Sequence, residues 1–355
     1  MTLPDKTPLD KVDRKILYHL DRNARMQLSA LSKKVGISKE SLHYRIRRLR
    51  ENRQVSKFYT IINTSKMGFY LFKIYIQLQN TTEASEKQMI EYLHSHPRYA
   101  WSCFSSGRWD MLVAVWARDP LDFDDSFLAG FMGRFSEYVL ARELSITKHN
   151  INQNRRWFYE TDEEPVSSDV GGKAEDAGLD ETDREILRII ANNARMSVRC
   201  IAELAKTTPA VVQHRIRKME RSKVILAYKI SFDLRNYGYE FCKSFIYLKH
   251  ADPKRMKELI EYCRHHQNIL NEVTTFGSWD LELEFEVPNF EFFHSAMREI
   301  RNRFGDMIKS YDSILIYKEY KVDYMPGCYP SMDECHAKDG KSLKKGQMKE
   351  AIEER

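Results

Sequence analysis

Two short segments of the chain concentrate basic side chains whose chemistry suits a phosphate backbone. Residues 39–57 include seven basic and two acidic residues, and residues 206–223 include six basic and one acidic. At 100° per residue, one face of each segment is apolar and the opposite face carries guanidinium, ammonium, imidazole and amide groups. A helix of this kind can enter the major groove of DNA, where polar groups reach base edges and arginines neutralise phosphates.

The candidate DNA-contacting residues lie on the polar face of each segment. Phosphate contacts are expected from the basic residues Arg45, Arg47, Arg48, Arg215, Arg217 and Lys218. Base reading is expected from the polar residues nearer each helix start, which are Lys39, Ser41, His43 and Tyr44 in the first segment and Gln213 and His214 in the second. The helix-capping residues Ser38 and Thr208 complete the set. An isolated basic helix is more often a solvated surface, so the surrounding elements must decide between the two interpretations.

Each basic segment follows two other helical patterns. In the first case, Asp10 is placed to cap a helix that buries Ile16, Leu17 and Leu20, and a short helix over 28–35 follows. Gly36-Ile37 forms a turn, and Ser38 then caps a third helix that runs to about residue 52. In the second case, Thr208 is the cap and Pro209 takes the first helical position, where proline is tolerated. Three helices with a tight turn before a basic third helix indicate a helix-turn-helix domain.

These two domains belong to a longer repeat. The segment LDKVDRKILYHLDRNARM at residues 9–26 returns as LDETDREILRIIANNARM at residues 179–196, an offset of 170 residues. The same offset aligns Gly107, Trp109 and Asp110 with Gly277, Trp279 and Asp280. Beyond the residues numbered in the 120s, the offset between equivalent residues of the two repeats changes by one residue. The chain therefore contains a duplicated unit of about 150 residues.

The second part of each unit alternates strand and helix patterns in the order strand–helix–strand–strand–helix–strand. The segment LELEFEV at 281–287 alternates strictly, which is typical of a strand. This order predicts an α+β fold, in which two winged helix-turn-helix domains are each followed by a βαββαβ ferredoxin-like domain. The predicted regions are a first winged helix-turn-helix (1–66), a first ferredoxin-like effector domain (67–156), an acidic flexible linker (157–178), a second winged helix-turn-helix (179–236), a second effector domain (237–325) and a disordered tail (326–355).

Composition is consistent with a globular protein that has a polyanionic partner. The chain has 355 residues, 42% apolar and 30% charged, with a net charge of +6. Residues 160–181 carry nine acidic residues and one lysine, so the remainder carries +14. The longest apolar run, MLVAVWA at 111–117, is too short for a bilayer, and the N-terminus has no secretory h-region. Six scattered cysteines indicate reduced thiols, so we expect a cytoplasmic protein without a membrane partner.

No cofactor, metal site or catalytic constellation is expected. Cys328 and Cys335-His336 lack a second ligand pair at zinc spacing. The sequence shows no glycine-rich phosphate loop, no paired catalytic carboxylates and no nucleophile signature. The sequence therefore predicts that the protein is not an enzyme.

The motifs together resemble the Lrp/AsnC family of prokaryotic transcription regulators. The resemblance is carried by LDKVDRKIL, NARMQLSALSKKVGIS, RIRRL and the G-x-W-D turn before a strand, and it covers almost the whole chain, once per repeat. It implies winged helix-turn-helix domains, each joined to a βαββαβ domain that dimerises and often assembles further. It also implies that an amino acid or other small effector binds near the turn, at Gly107, Asp110, Gly277 and Asp280. In this family glycine usually precedes the wing, where this chain has Arg53 and Lys223, which leaves the wing conformation open.

The duplication then has a functional interpretation. Members of the family bind double-stranded DNA as dimers with two reading heads, whereas this chain would carry both heads as an intramolecular pseudo-dimer, with or without further homo-oligomerisation. Because KESLHYRIRRL differs from PAVVQHRIRKM, we expect preference for an asymmetric site with two unlike half-sites. Covalent linkage also raises the effective concentration of the second head to the order of millimolar.

Several alternatives stay open at this point. The glycines and aspartates of the G-x-W-D segments can equally be explained by tight turns and turn caps. The row Glu282, Glu284 and Glu286 can pair with Lys243, line a polar pocket or lie on a solvated sheet edge. A family of haem-pathway (siroheme-type) decarboxylases reuses the same fold as fused pairs, although its histidine motif is missing from FSSGRWD and TFGSWD. A third possibility is an effector-binding module that does not bind DNA.

Overall fold

The computed structural model describes residues 9–249, 252–320 and 324–326. The first repeat forms α1 (Lys11–Arg22), α2 (Leu28–Val35), α3 (Lys39–Glu51), β1 (Lys57–Ile62), β2 (Tyr70–Leu78), α4 (Glu83–Ser95), β3 (Tyr99–Gly107), β4 (Met111–Ala117), α5 (Pro120–Phe123), α6 (Ala129–Phe135), β5 (Val139–Gln153) and β6 (Ser167–Gly171). The second forms α7 (Glu181–Ala191), α8 (Val198–Leu204), α9 (Pro209–Arg221), β7 (Ile225–Ser231), β8 (Glu240–Leu248), α10 (Pro253–His265), β9 (Ile269–Phe276), β10 (Leu281–Val287), α11 (Phe290–Phe304) and β11 (Ile308–Glu319).

The helix boundaries follow the capping residues expected from the sequence. The Asp10 carboxylate accepts from the backbone N–H of Asp13 at 2.7 Å, and Ser38 accepts from the N–H of Ser41 at 3.1 Å. The α9 helix begins with Pro209 after the Thr208 cap. Each cap satisfies one of the backbone donors that a helix start leaves without an intrahelical partner. Both helix-turn-helix domains are therefore present as predicted.

The eight long strands of the two ferredoxin-like domains close into a single barrel. The strands follow the order β2-β4-β3-β11-β8-β10-β9-β5, and β5 pairs again with β2. Four strands come from each repeat, and two seams join the repeats, β3 with β11 and β5 with β9. Alternate residues of β2 face opposite sides, so Phe72 and Ile74 pack among the residues of the outer helices while Tyr75 belongs to an interior cluster. The predicted α+β fold class is confirmed.

The two helix-turn-helix domains are joined by a second, smaller sheet. Strands β1 and β7 pair antiparallel, with Lys57 opposite Ser231 and Ile62 opposite Ile225. A single hydrophobic core contains buried residues from both domains, including Leu17 of α1 and Leu187 of α7. Because this core is shared, the two domains are not separate bodies on a tether.

A local helix irregularity accounts for the slip in the repeat. Between α5 and α6 the first repeat has a π-helical turn, Asp124–Leu128, where the second repeat has the uninterrupted α11. A π turn accommodates one extra residue within a helix. The Ser126 carbonyl in this turn is bonded to the Nε2 of His96 at 2.8 Å. The extra residue of the first repeat is therefore accommodated within the helix, before β5 begins.

The segment predicted as a flexible linker is instead ordered, which corrects that prediction. Strand β6 pairs with β5, and Trp157 and Phe158 are buried in the core shared by the helix-turn-helix domains. The Nε1 of Trp157 donates to Glu286 at 2.7 Å. Acidic and Gly/Ser-rich composition indicated flexibility, but two aromatic residues and a strand pairing fix the segment. Apart from residue 326, the tail, including Cys328, Cys335 and His336, lies outside the described residues.

The described part of the chain has neither a membrane-spanning helix nor a cluster of metal-ligating side chains. No helix within it is long and apolar enough to cross a bilayer. The same residues contain no group of three or more His, Cys, Asp or Glu side chains that could hold a metal ion.

Candidate nucleic-acid interface

The third helix of each domain presents a different exposed face. On α3, Lys39, Ser41, His43 and Tyr44 are exposed, while Leu42 and Leu49 are buried. On α9, Gln213, His214, Arg217 and Lys218 are exposed. The cap residues Ser38 and Thr208 are exposed at the helix starts. Most of the predicted base-reading side chains are therefore accessible from solvent, on helices whose apolar sides are held by the core.

Three of the predicted phosphate contacts are already held in ion pairs. The Nη1 of Arg45 lies 2.6 Å from Asp10 and 2.8 Å from Asp13, and the Nη2 of Arg48 lies 2.5 Å from Asp13. The second repeat has the equivalent arrangement, with Arg215 at 2.6 Å from Asp180 and 2.9 Å from Asp183. The geometry thus favours a role for these arginines in fixing the third helix against the first. It also explains why the L-D-x-x-D-R motif occurs in both repeats.

The remaining predicted phosphate contacts are available. Arg47 makes a long contact with Glu51, at 3.7 Å, and its guanidinium lies 5.8 Å from the ring centre of the exposed Tyr44, while the side chains of Arg47 and Glu51 are both at least 60% exposed. Arg217 and Lys218 are exposed on the same face of α9. Exposed pairs of this kind are weak and exchange readily with a phosphate. Arg47, Arg217 and Lys218 remain the best-placed candidates for the backbone of DNA.

The turns around the third helices have left-handed backbone conformations, and three of the four turn residues are not glycine. Gly36 has φ +84° and its counterpart Lys206 has φ +49°. Before the wings, Arg53 has φ +54° and Lys223 has φ +61°. These side chains are strained in this region, which glycine enters freely. The question left open by the missing glycines is settled, because both wing turns adopt the left-handed conformation.

Two reciprocal hydrogen bonds, made by Arg25 and Arg195 and called here the arginine clasp, join the two helix-turn-helix domains. The Nη1 of Arg25 donates to the Ala194 carbonyl at 2.6 Å, and the Nη1 of Arg195 donates to the Ala24 carbonyl at 2.5 Å. The backbone N–H of Ala24 bonds to Tyr228 in β7, and that of Ala194 bonds to Phe58 in β1.

The clasp is made by the N-A-R-M segment of each repeat, so each copy of this motif binds the other repeat. Burial and the neighbouring Arg25 lower the pKa of the Arg195 guanidinium. The repetition of N-A-R-M is thus explained by the contact between repeats rather than by DNA.

The residues predicted to bind an effector have structural roles, the aspartates within each repeat and the glycines at the seams between the repeats. The Oδ2 of Asp110 accepts from the N–H of Leu78 at 2.8 Å, and that of Asp280 accepts from the N–H of Leu248 at 2.9 Å. Gly107 has φ +133°, and an added Cβ would lie 2.7 Å from the Ser313 carbonyl oxygen across one seam. A Cβ on Gly277 would lie 2.9 Å from the Leu144 carbonyl oxygen across the other. The alternative of turn residues and close strand approach accounts for all four.

The three glutamates of β10 lie inside the barrel, which corrects the solvated-edge alternative. Strand β10 is central, between β8 and β9, and Glu282 and Glu286 are 0% and 4% exposed. Glu282 is 2.7 Å from the Nζ of Lys73 and 3.0 Å from that of Lys243, and Lys243 also contacts Glu284 at 2.8 Å. Burial alone would raise the pKa of Glu282, but the two ammonium groups lower it to about 2. The predicted pairing with Lys243 is present.

A second buried ionic cluster connects the barrel to the helix-turn-helix domains. Arg155, two residues after the end of β5, contacts Asp21 of α1 at 2.8 Å and Glu286 of β10 at 2.9 Å. Lys229 of β7 lies 3.8 Å from the same Asp21. Burial lowers the pKa of Lys229 to about 8 although Asp21 opposes the shift. Sequence patterns gave no signal for this joint, because its members come from four separate elements.

One cavity formed by the described residues was also missed from the sequence. It is a groove of about 1500 Å³ beside α10 and α11, flanked by residues 156–162. Its lining includes Arg156, Tyr159, Tyr262, His266, Ala296 and Glu299. In the first repeat the equivalent helices approach closely, since an added Cβ on Gly130 would lie 2.8 Å from the hydroxyl of Tyr92.

Comparison with known proteins places these features in a family. A model of the AsnC-type helix-turn-helix domain matches residues 9–50 and 179–220. The HTH-type transcriptional regulator AldR of Mycolicibacterium smegmatis is 35% identical over 115 residues, which is 32% of this chain and 67% of AldR. An uncharacterised HTH-type regulator of Pyrococcus horikoshii, PH1916, is 36% identical over 112 residues, which is 30% of this chain and 72% of that protein. The chain belongs to the Lrp/AsnC family of transcriptional regulators.

This tandem Lrp/AsnC protein also resembles the fold of an enzyme over most of its length. Siroheme decarboxylase NirDL superposes with a TM-score of 0.59, covering 90% of this chain and 94% of NirDL at 11% identity. The prediction that the protein is not an enzyme is therefore wrong as an exclusion, because the same tandem arrangement occurs in an enzyme. At this identity the likeness shows the fold alone.

Proposed function

We propose that this Lrp/AsnC protein is a sequence-specific DNA-binding transcription regulator that acts as a covalent pseudo-dimer. The observation that carries the proposal is the presence of two exposed third helices, α3 and α9, in one frame. The β1–β7 sheet and the arginine clasp fix their relative positions. Their exposed residues differ, with His43 and Tyr44 on α3 where α9 has Gln213 and His214. We therefore expect two unlike half-sites on one face of the duplex.

The proposal is tested by fluorescence anisotropy with duplex DNA from upstream of the protein's own gene, beside an unrelated duplex, over a salt series. Affinity should fall steeply with salt, and the upstream duplex should be preferred at least about 10³-fold. The double variant Arg47→Ala/Arg217→Ala should bind more weakly with a shallower salt slope. Glu51→Gln is the matched control, because it removes the partner of Arg47 but leaves both arginines. No binding at low salt would contradict the proposal.

We also infer an effector response, as the resemblance implies, with an amino acid or similar small molecule as the effector. Two places compete for it, the G-x-W-D turns and the groove beside α10 and α11. Titration calorimetry with amino acids separates them when applied to the wild type and two variants. The double variant Asp110→Asn/Asp280→Asn should abolish binding at the turns, whereas Ala296→Phe should block the groove. Equal heats in all three proteins would contradict both locations.

A second candidate function is tetrapyrrole decarboxylation, favoured by the whole-chain likeness to siroheme decarboxylase NirDL. Absorption spectra of the purified protein, titrated with an iron tetrapyrrole, test this candidate. A saturable shift of the tetrapyrrole bands followed by loss of carboxyl groups from the ligand would support it. Spectra identical to the free tetrapyrrole would contradict it.

A further inference from the structure

The buried ionic cluster of the barrel is built from unlike contributions of the two repeats. Lys73 of β2 comes from the first repeat, whereas Lys243, Glu282 and Glu284 come from the second. The side chains of Lys243 and Glu282 are both 0% exposed, and that of Lys73 is 6% exposed. The cluster therefore spans the contact between the repeats and has almost no access to water.

The two repeats differ at the positions that supply the acidic residues of this cluster. Lys73 and Lys243 are equivalent under the 170-residue offset, so each repeat supplies one lysine. Glu282 and Glu284 have the uncharged counterparts Leu112 and Ala114, so only the second repeat supplies acids. Pairing the first repeat with the second gives two lysines and two glutamates, a neutral cluster.

Pairing of like repeats would leave this cluster charged. Two first repeats would bury two lysines with neither glutamate, a charge of +2. Two second repeats would bury two lysines and four glutamates, a charge of −2. Removing the partner of a buried ion is strongly unfavourable because the remaining charge has neither water nor a counter-ion.

The tryptophans of the two G-x-W-D segments show the same asymmetry. The Nε1 of Trp279 donates to the Oε1 of Glu282 at 3.1 Å, and the hydroxyl of Tyr75 donates to the same oxygen. The equivalent Nε1 of Trp109 is buried and has no hydrogen-bond partner among the described residues. The first repeat has Leu112 at the position where a glutamate would accept a hydrogen bond from the Nε1 of Trp109. A buried donor of this kind is uncommon, and here it identifies the position that has an acid in only one repeat.

We propose that this cluster selects the pairing of unlike repeats. The four strands that one repeat contributes to the barrel pair stably only with four strands whose charged residues make the buried cluster neutral. The selection does not depend on DNA binding. It restricts assembly to one first-repeat half and one second-repeat half in every barrel. Within one chain this condition is met by folding the chain onto itself, which linkage favours.

The test uses two complementary full-length variants. In Glu282→Leu, both repeats lack an acid at this position, and the cluster within one chain has a charge of +1. In Leu112→Glu, both repeats have one, and the charge is −1. Co-expressed with different affinity tags, the two chains should exchange halves, because each mixed barrel is neutral. Wild-type chains with the same two tags should not co-purify.

The expected result is a two-chain species by native mass spectrometry. Co-purification of the variant pair should exceed that of the tagged wild-type pair at least about 100-fold, since breaking a buried ion pair has an effect of this order. The double variant Leu112→Glu/Glu282→Leu is the folding control, because it moves the acid to the equivalent position and restores neutrality within one chain. It should remain a single-chain species with the thermal stability of the wild type.

Three outcomes would overturn the proposal. One is that the two single variants do not co-purify above the wild-type level. Another is that wild-type chains exchange halves as readily as the variants. A third is that the double variant fails to fold, since the role of Glu282 would then depend on its position rather than on the charge balance.

Discussion

At the residue scale, the feature of most consequence is the buried carboxylate of Asp13. It is 1% exposed and accepts from the guanidinium groups of both Arg45 and Arg48. Helical spacing correctly placed these arginines on the third helix, away from Leu42 and Leu49. Spacing could not show that an aspartate of the first helix lies against them, because that contact joins residues 32 and 35 positions apart. The sequence therefore overstated how many arginines are free for DNA.

Asp13→Asn should lower the free energy of unfolding by about 1–3 kcal/mol, because it leaves two arginines without their buried counter-ion. Urea denaturation followed by circular dichroism measures the change. The control is Glu51→Gln on α3, whose exposed pair with Arg47 should contribute no more than about 0.5 kcal/mol. If Asp13→Asn were as stable as the wild type and Arg45→Gln lost DNA affinity, the arginine would contact DNA rather than brace the helix.

Glu272 on β9 gives a pH-dependent stability. Burial raises the pKa of Glu272 to about 8 from an ordinary value of 4.5, although the Nε2 of Gln153 donates to its carboxyl oxygens at 3.0 and 3.2 Å. The folded protein therefore holds a proton that the unfolded chain releases above its ordinary pKa. The stabilising contribution is complete below pH 4.5 and is lost as the pH rises towards 8.

Glu272→Gln should remove this dependence, since its side chain is neutral at every pH. The variant should gain about 1–3 kcal/mol relative to the wild type at pH 9 and little at pH 5. Thermal unfolding across this pH range measures the difference. Parallel pH profiles for the two proteins would show that Glu272 is ionised in the folded state.

At the element scale, the local sequence patterns predicted the positions of helices and strands well. They predicted poorly which faces of these elements are buried. The alternation of LELEFEV gave β10 at Leu281–Val287 as expected. The same alternation put three glutamates on one face, and only the closed order of strands shows that this face is the barrel interior. Likewise, the composition of residues 157–178 concealed β6, whose pairing with β5 is a long-range property. Strand order depends on contacts between repeats, which no local pattern encodes.

The turn before α9 offers a direct measure of backbone strain. Lys206→Gly should raise the free energy of unfolding by about 0.5–1 kcal/mol, because Lys206 has φ +49° where its counterpart Gly36 has φ +84°. Chemical denaturation measures the gain. Lys33→Gly, on the exposed side of α2, should instead lose about 1 kcal/mol. Destabilisation by both substitutions would mean that the turn is not strained.

At the scale of the whole molecule, the shared core and the arginine clasp make the two reading heads one unit with two different faces. Changing Gln213→His together with His214→Tyr should make the exposed face of α9 similar to that of α3. We then expect the preferred DNA to change from two unlike half-sites to a more symmetric pair. Selection from a random duplex library, followed by sequencing, compares the wild type with this variant. Unchanged preferences would show that other residues read the bases.

The placement of Glu282 has an evolutionary consequence. In an assembly of two identical chains, any substitution near the symmetry axis appears twice, so an acid gained there arrives as a pair. In this chain the two equivalent positions are encoded separately, and one is Glu282 while the other is Leu112. The duplication thus allows single, unmatched changes at the centre of the molecule. Each repeat can diversify along its own path while the other retains what the fold requires.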